Sequence, residues 1–516
     1  MEPQSHESAP GAATRLLGQQ YARREPEKTL LYKVVRDNLE TFLAEMRASD
    51  PEQRGLPRYV EEEFRRYLAC GILGHGFVHL QCNRCGAETI VAFSCKTKTF
   101  CPSCLTRRMH AVAADLVGRV LPAAPYRHWV LSFPMELRFH LVRDEALFQK
   151  LREIFVRSVR AWLRAKARAL GVKRAQTGAV VFTQRFSSRL MLFPHLHAVI
   201  PDGVFAEDGA GKIVFHKLRP KDEDLARIAA RIARKAAKLI AQLDGEAIVP
   251  DSLDAVRAQA AQGELAIKIA PVERVEETAK RLVANVDGFS LQAARHLHEN
   301  DRAGLEFLLR YVLRPPLSLE RMRELPNGKI LVGFKRPLAS GTAAIELAPM
   351  TLMRRLASIV PPPGSHDTSY FGVFAAHSAW RKRLVRAVRK DPEDCRAHPG
   401  WEEHEEKVGT VPDVIDPMFG REDSLDGEER EGSYIPWAEL LKHVYRIDVL
   451  ECPCGGRREV KAHVKEPEKI REVLEHLGLW SEAPKAAKAR EPPQPELFDR
   501  ATESDGVDPP APDFVA

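Results

Sequence analysis

The sequence predicts an α+β protein: a palm-like antiparallel sheet of the ferredoxin or RRM type, preceded by a helical and zinc-ribbon module. Three observations predict it. A strand, a long amphipathic helix and a strand pair follow one another between residues 127 and 201. Two C-x-x-C pairs stand just upstream, and a helix-like apolar rhythm precedes both.

Taken in order, residues 1–27 are expected to be disordered. Residues 28–120 hold a helical lead-in and a four-cysteine zinc-binding domain. In the lead-in, Leu30, Val34, Val35, Leu39 and Phe42 keep a helical spacing, and Tyr59 to Leu68 form a second helix after Pro57. Cys82 and Cys85 are separated by fifteen residues from Cys101 and Cys104. That spacing places four thiolates around one Zn2+, and four sulfurs leave no open position, so the site is structural. Cys95 lies inside the loop and can replace one ligand. The basic neighbours Arg84, Lys96, Lys98, Arg107 and Arg108 suit contact with phosphates, or simply solvate a ribbon that buttresses the next domain.

Residues 121–390 form the next and largest domain. His128 to Phe133 read as a buried strand ended by Pro134, and residues 144–170 as a helix with Leu147, Leu151, Phe155, Val159 and Leu163 on one stripe. Gly178 to Arg185 form the next strand, and Phe193 to Ile200 the one after it. Along a strand, alternate side chains share a face, so His195 and His197 project together: half of a metal site. Neutral imidazoles suit manganese, zinc or, less readily, magnesium. The similarly spaced His296 and His298 have polar flanks and read as a solvated strand end. A hairpin turning near Ser188 to Leu190 sets Gln184 opposite His195, which makes Gln184 either a third ligand or an ordinary solvent-facing residue.

Residues 216–243 read as a basic helix, and Asp287 to Leu291 as the start of a strand. The helix Arg302 to Leu313 buries Leu305, Leu308, Leu309 and Val312, leaving Tyr311 between Arg310 and Arg314. Such a tyrosine is either a rim residue or a nucleophile, the latter only beside a cation and arginines that hold a phosphate. Residues 328–336 and 343–347 form a hairpin that offers Lys335 and Arg336 to a nucleic-acid backbone. Residues 391–433 read as an acidic linker, 434–480 as a small C-terminal domain and 481–516 as a disordered tail.

The totals agree with a cytoplasmic protein whose basic surface either meets a polyanionic partner or is simply well solvated. The 516 residues allow roughly three domains, and 44% hydrophobic with 29% charged residues describes a globular chain. No apolar run approaches the ~20 residues of a membrane span, and no secretory signal opens the chain. Nine cysteines, five of them from Cys82 to Cys104, indicate metal binding in a reducing cytoplasm rather than disulfides. The net charge is +7, yet residues 391–431 carry 15 acidic and 4 basic side chains, which leaves +18 on the remainder. A body so basic suits a polyanionic partner.

These motifs together resemble the rolling-circle transposases of the insertion-sequence 91 type, in the HUH endonuclease group. The resemblance runs from about residue 28 to 479. It rests on the cysteine pairs followed by His128-Trp129-Val130-Leu131-Ser132-Phe133-Pro134, on Pro194-His195-Leu196-His197 with Pro201-Asp202-Gly203-Val204-Phe205, and on Leu309-Arg310-Tyr311-Val312-Leu313-Arg314-Pro315-Pro316. There are two departures. Phe307 stands where the family's first tyrosine would fall, so the chain is similar to the single-tyrosine, common-region branch. The C-terminal C-P-x-C-G-G is shortened to Cys452-Pro453-Cys454-Gly455-Gly456, which argues against a second zinc site.

The resemblance implies that His195 and His197 hold Mg2+ or Mn2+ and that Tyr311 attacks single-stranded DNA at element termini and targets. A 5′-phosphotyrosine and a free 3′-hydroxyl would result, with no nucleotide cofactor and no membrane. It also implies a bacterial cytoplasmic enzyme working at the nucleoid. The competing readings are a plasmid or phage replication initiator of the same chemistry, and a non-enzymatic zinc-ribbon regulator.

Overall fold

The computed structural model describes residues 24–241, 252–262, 282–334, 337, 341–388, 448–480 and 482–490. Thr29 caps α1 (Leu30–Ser49) by accepting the Tyr32 N–H at 3.3 Å. α2 (Arg58–Ala69) starts after Pro57. Their apolar stripes share one core with Leu317, Met322, Ile330, Ile345, Leu347, Leu352 and Leu356. The helical lead-in is thus not packed within residues 28–120 alone, because its stripes are wide enough to need a second layer.

The hairpin β1 (Phe77–Cys82) and β2 (Glu88–Ala92) comes next, then α3 (Pro102–Asp115), which starts on Cys101 with Pro102 at its first position. It runs into one π-helical turn, Leu116–Val120. β3 (Tyr126–Ser132), α4 (Met135–Arg143) and α5 (Glu145–Ala169) follow, the last capped by Asp144 accepting the Leu147 N–H at 2.9 Å.

β4 (Gly178–Phe186) and β5 (Leu192–Pro201) form the expected hairpin, and a second hairpin joins β6 (Gly203–Glu207) to β7 (Ile213–Lys217). The basic helix expected over 216–243 is therefore shorter, as α6 (Asp222–Ile240). The reason is local: the Asp208 carboxylate accepts the Ala210 and Lys212 N–H groups at 3.0 and 2.8 Å, and this turn returns the chain as a strand.

After α7 (Ser252–Gln262), β8 (Val283–Val286) and β9 (Phe289–Gln292) flank Asp287-Gly288, both at positive φ. That dipeptide turns a hairpin rather than opening a strand, since both residues tolerate the left-handed region. β10 (His296–Leu297) precedes α8 (Arg302–Leu313). β11 (Met322–Glu324), β12 (Ile330–Gly333) and β13 (Ala344–Leu347) make a small sheet beside α9 (Pro349–Ser358). β14 (Thr368–Gly372) and α10 (Ala379–Val388) follow, and beyond the acidic stretch, which lies outside the described residues, come β15 (Arg458–Val464) and the helix Pro467–His476.

The central sheet is antiparallel throughout, in the order β14-β4-β5-β3-β9-β8, with β10 also paired to β3. β5 is internal, flanked by two partners, and its faces divide by parity. Leu196, Ala198 and Ile200 pack with α5 and α6, whereas Val199, with Val180 and Phe182 of β4, packs against α8. The α+β class and antiparallel sheet are those the sequence predicts. No helix among the described residues is long and apolar enough to cross a membrane.

Candidate active site and cysteine tetrads

Parity puts His195 and His197 on the α8 face of β5, with ring centroids 4.7 Å apart. Both are buried. Burial holds His195 down to about 4 and His197 well below the ordinary histidine range, so both are neutral at pH 7. His195 Nδ1 lies 2.8 Å from the Phe193 carbonyl oxygen. A carbonyl can only accept, so Nδ1 carries the proton and Nε2 keeps its lone pair.

Gln184 pairs directly with His195 across the hairpin. Its Nε2 donates to the Val312 carbonyl at 3.3 Å, which aims Oε1 at His197 Nε2, 3.4 Å away. Behind His197 lies His128 of β3: its Nε2 is 2.9 Å from His197 Nδ1, and the rings stack with centroids 5.0 Å apart. Oε1 can only accept, so without a cation His197 Nε2–H donates to it and His128 Nε2–H donates to His197 Nδ1; a cation would take the other tautomer, with His197 Nδ1–H turned to His128 and an Nε2 lone pair beside Gln184 Oε1. Two acceptors so placed fit a shared cation, since bonds of about 2.1 Å at near-octahedral angles separate ligand atoms by about 3 Å. Two imidazoles and an amide oxygen make a mixed donor set: the nitrogens suit metals such as Zn2+ or Fe2+, the oxygen suits Mn2+ or Mg2+.

α8 brings the tyrosine to this face. Asp301 caps it by accepting the Gly304 N–H at 2.7 Å. The Arg302 guanidinium donates to the carbonyls of Val117, Leu121 and Pro122, fastening the start of α8 to the end of the α3 segment. With Leu305, Leu308, Leu309 and Val312 buried, Tyr311 is left 40% exposed, its ring centroid 6.5 Å from that of His197. The Arg314 guanidinium lies 4.7 Å over the same ring. Arg310 instead reaches toward Glu306, one turn back, at 3.9 Å. Lys335 and Arg336 lie outside the described residues. Phe307, in place of a second tyrosine, is 46% exposed one turn before Tyr311, with Arg295 over its ring at 5.8 Å.

The four cysteines expected around one ion do not meet. Cys101 and Cys104 join Cys70 and Cys95, while Cys82 and Cys85 join Cys452 and Cys454. The first two cap and open α3, whereas the second two belong to the β1–β2 turn, so the spacing is shared between two local frames. In the α3 tetrad, Sγ–Sγ distances are 3.7 Å for Cys70–Cys101 and Cys70–Cys104, and 3.3 Å for Cys95–Cys104. Tetrahedral Zn–S bonds of about 2.3 Å place sulfurs about 3.8 Å apart. All four are buried, and burial pushes the Cys95 thiol well up. Thiolates so close and so dry persist around a cation. The shortened C-terminal motif argued against a second metal site, yet the Cys452 and Cys454 sulfurs gather with those of Cys82 and Cys85.

Residues 37–133 match the family model described as "Transposase zinc-binding domain", of the IS91 group, and residues 178–382 match the one described as "Putative transposase". The chain belongs to the insertion-sequence 91 type transposases. No curated protein and no solved structure matches it.

The transposase is thereby a DNA-binding, DNA-cleaving enzyme with a zinc-binding domain. Sequence reasoning missed three of its site residues. His128 sat unremarked in a predicted strand, since its face could be told only once β3 was registered against β5. Cys70 belongs to neither C-x-x-C pair and so carries no motif of its own, although nine cysteines divide naturally into two fours and one over. Arg302 looked like any helix-opening charge.

Proposed function

We propose that this transposase nicks and rejoins single-stranded DNA at the ends of its element, as an HUH nuclease with a palm-type sheet, in rolling-circle transposition. The observation that carries this is the approach of Tyr311 to His197, 6.5 Å between rings, from an element remote in sequence.

His195, His197 and Gln184 would hold Mg2+ or Mn2+, which supplies Lewis-acid polarisation of the scissile phosphate. The Tyr311 hydroxyl attacks phosphorus in line, losing its proton to solvent. The P–O3′ bond breaks, the leaving 3′-oxygen takes up a proton, and a 5′-phosphotyrosine remains. Arg314, over the Tyr311 ring, stands where its guanidinium offsets the charge of the scissile phosphate. Attack by a 3′-hydroxyl on the phosphotyrosine reverses the step and rejoins strands, so bond energy is kept and no nucleotide is consumed. Phe307, exposed beside Tyr311, offers a face on which an unpaired base stacks. Cys70, Cys95, Cys101 and Cys104 would hold a structural Zn2+ that sets α3, and through Arg302 the tyrosine helix.

The test is a labelled single-stranded oligonucleotide of the element's terminus, incubated with protein and Mn2+ and resolved on a denaturing gel. A covalent adduct is expected with the native chain and none with Tyr311→Phe of unchanged thermal stability. An adduct that persists in that variant moves the nucleophile elsewhere. Retained duplex binding with no adduct from the native chain would instead favour a regulator.

A further inference from the structure

The second cysteine tetrad is composed from opposite ends of the chain, and neither family match reaches its C-terminal half. We propose that Cys82, Cys85, Cys452 and Cys454 form a second zinc site, a clasp that fastens the C-terminal segment to the N-terminal ribbon and makes the two one folding unit.

Four observations carry it. The sulfurs are spaced for tetrahedral zinc: Cys82–Cys454 at 3.5 Å, Cys85–Cys452 at 3.7 Å, and all four within 4.8 Å of one another. Each pair sits on a tight turn whose amides aim at sulfur, the Arg84 N–H at Cys82 and the Gly456 N–H at Cys454, both at 3.4 Å. The turns are built for each other. Asn83 N–H donates to the Arg457 carbonyl at 2.9 Å, Arg457 N–H returns to Asn83 Oδ1 at 3.1 Å, and the Arg84 guanidinium donates to the Cys454 carbonyl at 2.9 Å. A Cβ on Gly456 would lie 2.8 Å from Cys82 Sγ and 2.6 Å from Arg84 Cβ, so only glycine lets the turns close.

The fourth observation is the core around them. β1 is the middle strand of the sheet β15-β1-β2 only because β15 arrives from the far end of the chain. Phe77 packs with Val464, Ile470 and Leu474, while Val78 and Leu80 pack with Val449. Without the C-terminal segment β1 would expose an edge and both apolar faces. C-P-C therefore suffices in place of a longer knuckle: each turn supplies half of the ligands, and the sheet registers the halves.

Zinc is counted by metal analysis and native mass spectrometry on the full chain. Two ions per chain are expected, falling to one in Cys452→Ser/Cys454→Ser and likewise to one in Cys70→Ser/Cys104→Ser. In the unmodified protein, Cys452 and Cys454 should resist alkylation until a chelator removes one equivalent, and then react together with Cys82 and Cys85. A full chain carrying a site-specific protease sequence within residues 391–433 should stay associated after cleavage and separate on chelation. One zinc in the native chain, or Cys452 and Cys454 that alkylate freely while zinc is retained, overturns the proposal. A native chain that holds both zinc ions but forms no oligonucleotide adduct would count against the nuclease reading and leave the clasp standing.

Discussion

His128 shows how much one ring nitrogen can govern. Its Nε2 is the partner of His197 Nδ1, and which of the two carries the proton decides whether His197 Nε2 can take a cation. His128→Phe should weaken Mn2+ binding about 10- to 100-fold while leaving the fold intact, as loss of an orienting partner generally does. His128→Asn, which can still accept, should recover part of it. Titration calorimetry reads both, and an unchanged affinity in His128→Phe would reduce His128 to packing. Asp202 acts at the same scale but on stability. It makes a buried two-pronged pair with Arg127, both bonds 2.7 Å, and Arg127 also donates to the Ala293 carbonyl. Asp202→Ala strands that guanidinium and should cost about 3–5 kcal/mol in urea unfolding. A loss under about 1 kcal/mol would mean that water reaches the pair.

Among the elements, α8 is the one on which the proposed chemistry depends. Its apolar stripe gives it a face, but a stripe alone permits sliding along the sheet. Arg302 at one end and the Gln184–Val312 bond at the other fix its position. Arg302→Ala should slow adduct formation about 10- to 100-fold, the scale of a misplaced reacting group, with Mn2+ affinity unchanged. If metal affinity fell in parallel, the arginine would be holding the whole face rather than the helix. The β4–β5 hairpin was legible because alternation and turn length fix register together, and Gln184 falls opposite His195. β7 and the β8–β9 hairpin were not, because two short turns outweighed helical and strand composition around them.

For the whole molecule, charge and closure matter most. A body carrying +18 outside the acidic stretch should bind single-stranded DNA chiefly through phosphates. Six such contacts predict a fall in affinity of about a hundredfold or more between 50 and 200 mM salt. A fall below about threefold, by fluorescence anisotropy, would point to base stacking instead. Residues 482–490, the described part of the segment expected to be a disordered tail, run along α1, where Ala487 N–H donates to the Arg36 carbonyl at 2.9 Å and Arg490 N–H to Thr41 Oγ1 at 3.0 Å.

Local periodicity and motif spacing sufficed to name the α+β class, the histidine strand, the tyrosine helix with its apolar stripe, and the existence of bound thiols. These are short-range properties, written wherever side chains alternate or recur along one element. Which thiols gather, which histidine backs the His195–His197 pair, and how near Tyr311 comes to His197 were decided only by the folded chain. Each depends on register and packing between elements far apart in sequence, and spacing along one segment carries no information about its partner across the core.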